Sequence, residues 1–272
     1  MKTKLKSLYQ YRELLLNLTR KEVKVKYKNS VLGIVWSMIN PLIMLLVFYI
    51  AFGLFFKVQG TGIEFFAIYL MSGILPWNFL ANSLNLAVGT VVSNGNLVKK
   101  VYFPREVLPL ANVGAAAFNF FLQSLVLFAF MLILRYHFSP WLLMFPLVML
   151  LEALFIIGVA LFLAALNVFY RDLQHLTEIV LMAWFWMTPI VYPITYITDK
   201  LPGWAQQIYF LNPMTHIIQL FHEIIYHPSV YGPTTSYLST KGIIGTTAFS
   251  VGFVVLGYLF FTSREGRFAE FI

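Results

Sequence analysis

Six stretches of this chain run for nineteen residues or more with almost no charge: 32–56, 65–92, 107–134, 141–169, 176–194 and 243–261. An apolar run of about 18 residues or more, coiled as a helix, matches the hydrocarbon thickness of a bilayer. A membrane β-barrel would need alternation with a period of two, and these blocks do not alternate. Only 11% of the residues are charged and 60% are hydrophobic, whereas a soluble domain carries about 25% charged residues. The fold class expected is therefore an all-α polytopic membrane protein with six transmembrane helices.

The basic residues orient the bundle. With the N-terminus inside, segments 1–31, 93–106, 170–175 and 262–272 face the cytoplasm and hold fifteen of the nineteen Lys and Arg side chains. Lys57, Arg135, Lys200 and Lys241 remain outside. This is the positive-inside bias, and it puts both termini in the cytoplasm. The net charge of +8 then reflects topology and contact with anionic lipid headgroups, so no nucleic-acid partner is required. About thirty polar-to-amphipathic residues precede the first span with no small-residue cleavage site, unlike a signal peptide. The chain has no cysteine, which excludes disulfides, thiol catalysis and cysteine metal sites.

Residues 1–31 form the expected interface segment. On a helical wheel Lys6, Glu13, Asn17, Lys21, Lys24 and Lys28 fall within about 80°, opposite Leu8, Tyr11, Leu15 and Leu18. Glu22 and Lys26 interrupt the apolar side. A basic amphipathic helix beside a span lies in the membrane interface; it serves either as a topology anchor or as a docking surface for a cytoplasmic partner. Five basic residues crowd into positions 20–28, and no charge follows until Lys57.

Three loops carry further signals. In 93–109, SNGNLVKKVYFPREVLP, Asn94, Gly95 and Asn96 break the second span, and a short helical turn around 97–102 would expose Lys99 and Lys100. It reads either as a charged hairpin or as a contact for a motor domain. In 167–175, NVFYRDLQH, Asp172 is placed to cap the fifth helix. The 195–242 segment contains LNPMTHIIQLFHEIIYHP at 211–228, with Asn212 as N-cap and Pro213 in the first turn. Met214, Ile217, Ile218, Phe221, Ile224 and Ile225 share one face. Thr215, His216, Gln219, His222 and Glu223 share the other, read as a wet face. With a second short piece at 201–209, this predicts two short re-entrant helices before the last span. The H-E-x-x-H zinc spacing fails because position 226 is Tyr.

Glu152 lies about ten residues into the fourth block, deep enough to need a partner, and Glu178 lies near the inner edge of the fifth. One deep carboxylate with no basic residue inside a span argues against proton coupling. WFWMTPIVYP at 184–193 is dense in aromatics, and Pro189 and Pro193 would break the helix near the outer side. Its aromatics suit sugar rings or a channel gate, or equally packing and the interface belt. Ala248 and Gly252 make a weak small-xxx-small pair. No phosphate-cradling G-x-x-x-x-G-K-[ST], nucleophile elbow or zinc signature occurs. The halves show no sequence repeat of the kind secondary transporters carry.

Five stretches, YKNSVLGIVWSMINPL (27–42), SGILPWNFLANSL (72–84), NVFYRDL (167–173), TPIVYP (188–193) and YFLNPM (209–214), together resemble one family over nearly the whole chain. This is the permease subunit of type-2 ABC exporters that move lipid-linked glycopolymers, the O-antigen polysaccharide and wall teichoic acid exporters among them. The resemblance implies one transmembrane domain over 1–272: an interface helix in 1–31, a six-span bundle in 32–261 and a tail in 262–272. It implies a homodimer in the bacterial plasma membrane, paired with two copies of a separate P-loop ATPase. ATP and Mg would sit on that partner, leaving this chain without cofactor, metal or enzymatic activity. The 93–106 loop would be a coupling helix, with Asn96, Leu97, Lys99, Lys100, Tyr102 and Arg105 meeting the ATPase. Lys26, Lys28, Asn29 and Arg171 would collect a lipid diphosphate, which attracts Lys and Arg. Trp77, Phe185, Trp186, Tyr192, Trp204 and Tyr209 would line the channel or its outer gate. Two other readings stay open: a type-2 ABC permease for a small amphiphile, and an ion-coupled carrier built on Glu152.

Overall fold

The computed structural model describes residues 9–28, 30, 32–33, 35–48, 50, 65–226 and 238–272. Asn29, Lys57 and His227 lie outside the described residues. Among the described residues all regular structure is helical. Three helices are long and apolar enough to cross a membrane, Val107–Ile133, Pro140–Phe169 and Thr240–Phe271, and Val35–Met44 is a shorter apolar helix. The protein is a helical membrane protein of several spans.

Helix α1 (Arg12–Tyr27) is amphipathic and leads to α2 (Val35–Phe48), which contains Pro41. The centre of the bundle is α3 (Phe66–Val88). Most of α3 is buried because it packs on α5 (Val107–Ile133), on α6 (Phe145–Phe169) and on the short α10 (Pro213–Phe221). Asn78, Asn82 and Asn85 lower its hydropathy, so its place in the bundle comes from packing. Between α3 and α5 sits α4 (Gly95–Lys100). After α6 come α7 (Leu173–Trp186), α8 (Thr195–Lys200) and α9 (Gly203–Phe210). Past α10, a π-helical stretch spans His222–Tyr226. The last long helix is α11 (Thr240–Arg264), followed by a one-turn α12 (Phe268–Phe271).

The four basic segments meet at one end of the bundle, here the basic end. Arg105 reaches the carbonyl of Glu265, Phe169 packs on Phe271, and Gln174 approaches Gly89. A small apolar cluster separate from the main core seals this end. It joins Val98 of α4, Phe103, Ala164 and Val168 of α6, Phe261 of α11 and Phe268 of α12, with Leu14 and Leu18 of α1 resting on it.

Several expectations change. The 176–194 block breaks near its two prolines as expected, but earlier: α7 stops at Trp186, and its fourteen residues rise only about 21 Å. Pro189 and Pro193 lie just beyond, where proline cannot donate the next helical bond. Asp172 takes the N-cap position of α7 but makes no side-chain cap bond. Asn212 does cap α10, accepting from the Met214 amide, with Pro213 following. The polar face of α10 is not wet. Thr215, Gln219, His222 and Glu223 are buried, because α3 and the segments around 190 and 238 close over them, while His216 stays half-buried with Nε2 2.8 Å from the Phe210 carbonyl. Glu223 accepts from the Leu238 amide at 2.8 Å, and Gln219 meets His222 Nδ1 at 3.4 Å. Gly252 faces open space. The close helix contact forms instead between Gly158 of α6 and Gly257 of α11, where a Cβ on Gly257 would lie 2.0 Å from the Gly158 carbonyl oxygen.

Candidate functional site

The bundle opens in a polar cleft where α1 hands over to α2. Tyr27 at the end of α1 donates its hydroxyl to Asn119 Oδ1 on α5. Thr19, two turns earlier, lies against Gly114, where a side chain would meet it at 3.2 Å. These contacts lay α1 against the 114–119 stretch of α5. The cleft beyond holds about 440 Å³ and is lined by Lys26, Tyr27, Ser30, Ser37, Asn40, Asn78, Asn82 and Gln123, with Trp36, Pro41 and Met44. Gln123 donates to the Ser37 carbonyl at 3.1 Å, and Asn82 donates to the Asn78 carbonyl at 2.7 Å. Amides and hydroxyls in such numbers are costly against hydrocarbon unless they find partners. Lys26 sets a cation at the cleft, 5.9 Å from the centre of the Tyr27 ring. Its side chain reaches solvent, yet desolvation of the ammonium holds its pKa below the ordinary lysine value. An ammonium that has lost part of its water is a good receptor for an anion.

Of the described residues expected to collect a diphosphate, Lys26 alone lines this cleft. Lys28 and Arg171 are exposed and are not among its lining residues. Asn29 lies outside the described residues. Tyr27, Asn78 and Asn82 lie in stretches that carry the resemblance but had no role of their own there, and Asn119 and Gln123 were not singled out from the sequence. A signal was there: Asn78 and Asn82 are four apart, on one face of an apolar block.

At the basic end, α4 turns one side outward. Asn96, Leu97, Lys99 and Lys100 are exposed, while Gly95 and Val98 are buried. Tyr102, just beyond, is 96% exposed. Arg105 behaves differently: its guanidinium donates to the Glu265 carbonyl and lies 5.9 Å over the Phe268 ring. It is turned inward.

The aromatic residues divide likewise. Trp77 is 5% exposed, edge-on to Trp184 at 5.9 Å and to Phe185 at 5.7 Å. Phe185 is also buried, while Trp186 and Trp204 are 54% and 68% exposed. Tyr192 donates to the Trp186 carbonyl at 2.9 Å and pairs with the Tyr209 hydroxyl at 3.2 Å. Trp184, the first residue of the aromatic cluster at 184–193, donates its indole N–H to Asn212 Oδ1 at 2.8 Å. Asn212 in turn donates to Thr188 Oγ1 at 3.0 Å. One asparagine thereby ties α7 and the broken strand of chain after it to α10. A shallow apolar pocket of about 320 Å³ lies beside it, between Trp184, Ile208 and Tyr209. Among the described residues no trio of His, Asp and Glu converges on a common point.

A helical membrane bundle with a polar cleft in its wall and a short outward-facing helix at its basic end has the parts of a transport subunit. The family model described as ABC-2 type transporter matches residues 13–226, and the chain belongs to this family of membrane transport proteins. Over 98% of both chains it is 32% identical to the O-antigen export system permease protein RfbA of Myxococcus xanthus. Identity to the protein of the same name from Klebsiella pneumoniae is 31%, over 96% of this chain and 95% of the relative. The polysialic acid transport protein KpsM of Escherichia coli is 21% identical over 75% of this chain and 78% of its own length.

Proposed function

We propose that this chain is the permease of an ATP-driven exporter that moves a polysaccharide, carried on a lipid diphosphate, out of the cytoplasm. The observation that carries this reading is the polar cleft with Lys26 beside it, in a chain about 31% identical to O-antigen export permeases along nearly its whole length. A small amphiphile would need little hydrogen bonding inside the membrane. A glycan on a diphosphate presents many hydroxyls and two phosphates, which suit amides and an ammonium.

In this reading the chain crosses the plasma membrane six times with both termini inside, and α9 and α10 form a re-entrant pair. Residues 1–272 form one domain, with 1–31 at the interface and 262–272 as a tail. Two copies enclose the channel and two ATPase subunits drive it, binding ATP and Mg themselves. Asn96, Leu97, Lys99, Lys100 and Tyr102 meet the ATPase, and Arg105 holds the fold behind them. Lys26 receives the diphosphate, with Lys28 and Arg171 attracting it to the basic end. Trp186, Tyr192, Trp204 and Tyr209 flank the outer passage, supported by Trp77 and Phe185.

The test is ATP hydrolysis in nanodiscs by this chain together with its partner P-loop ATPase subunit. Undecaprenyl-diphosphate-linked glycan is expected to stimulate hydrolysis, and Lys99→Glu with Lys100→Glu is expected to abolish the stimulation. Stimulation by small amphiphiles alone would move the substrate class. A chain that binds no ATPase would overturn the reading.

A further inference from the structure

We infer that residues 265–272 act as a brace behind α4, passing a push on its outer face into the paired helices α6 and α11. The inference rests on the reading of α4 as the motor-contacting helix. A six-residue helix is too short to hold its own shape in isolation, so a load on Leu97, Lys99 and Lys100 needs a support behind them. The inner side of α4 is Gly95 and Val98, both buried. A Cβ on Gly95 would come 2.4 Å from Ile272 Cγ2, so the missing side chain is what seats residue 272 against the helix.

The same segment is wedged into both long helices. Phe268 is fully buried, edge-on to Phe261 of α11 at 5.3 Å. Phe169, the last residue of α6, meets Phe268 at 6.1 Å and Phe271 at 5.0 Å. Arg267 lies 5.5 Å over the Phe169 ring, and Arg105 fastens the start of the segment through the Glu265 carbonyl. Close-packed aromatics transmit displacement with little compression. From there α6 and α11 run together along their length, in backbone contact at Gly158 and Gly257. A push on α4 therefore moves that pair as one body.

The chain contains no cysteine, so an engineered pair reports on the brace directly. Gly95→Cys with Ile272→Cys removes the Ile272 branch that a Cβ at 95 would strike. In the reconstituted permease–ATPase complex, oxidation is expected to cross-link the pair and leave glycan export within about twofold of the reduced protein, since the two segments move together. Separately, Phe268→Ala and Arg105→Gln are expected to keep complex formation and ATP hydrolysis within about twofold while export falls about tenfold. Arg105→Gln removes no core volume, so it holds the test open where Phe268→Ala fails to fold. A cross-linked complex that hydrolyses ATP without export would overturn the brace. Unchanged export in both variants, or export and hydrolysis falling in step, would overturn it too. A wild-type chain that binds no ATPase would overturn the exporter reading and the brace with it.

Discussion

Lys26 and Glu152 illustrate two fates of a titratable group in an apolar chain. Lys26 sits at the polar cleft with its pKa lowered by desolvation. An anion favours the charged ammonium, so binding of a phosphorylated lipid is fullest where Lys26 is protonated. It is lost as pH rises through the lowered pKa. Lys26→Gln is expected to weaken binding of undecaprenyl diphosphate about tenfold, as loss of one charge-assisted bond implies, and to flatten the alkaline fall. A binding titration at neutral and alkaline pH checks both. Glu152 is fully buried, and neither carboxyl oxygen has a hydrogen-bond partner among the described residues. Nothing in the exporter reading uses it. Glu152→Met is expected to stabilise the protein by roughly 1–3 kcal/mol, the usual cost of an unsatisfied buried group, with export unchanged. A loss of transport with the fold intact would favour the ion-coupled carrier instead.

Helix pairing depends on where side chains are absent. In α6 and α11, Gly158 and Gly257 bring backbone to backbone, and a Cβ on Gly158 would lie 2.4 Å from the Phe253 carbonyl. Backbone cannot step aside as a side-chain tip does. Gly257→Leu is therefore expected to cost about 3 kcal/mol or more through overpacking, read as a lower unfolding midpoint in detergent. Gly252→Leu, facing open space, is expected to leave the midpoint unchanged. The stretch holding α9 and α10 shows a complementary device. Asn212 caps α10 and also receives the Trp184 indole, so one side chain sets both the start of a helix and its distance from α7.

At the scale of the molecule, the described residues leave long apolar faces uncovered. On α2, Ile43, Leu46 and Val47 are exposed, and on α7 Ile179, Val180, Met182 and Trp186 are exposed. Lipid covers such faces, as does a second copy of the same surface under two-fold symmetry. Light scattering on the nanodisc complex is expected to give two permeases and two ATPases. A single permease per particle would remove the shared channel while leaving the cleft and α4 as they are.

The membrane class, the long helices and the capped α10 were all legible in the order of residues. Each depends on local matters: the length of an apolar run, the cost of an unsatisfied backbone in hydrocarbon, an asparagine before a proline. The pairing of Gly158 with Gly257, the burial of the α10 polar face and the cleft itself were not legible. Lys26, Asn78 and Gln123 meet only because α1, α3 and α5 converge, and sequence periodicity says which face of a helix is unusual without saying what will cover it. His222 on α10's polar face looks the same in a helical wheel whether water or Tyr69, 4.1 Å away, fills the space beside it. Hydrophobicity and backbone hydrogen bonding act along the chain and can be read from it. Contact between surfaces far apart in sequence is settled by shape, and shape exists only once the helices have packed.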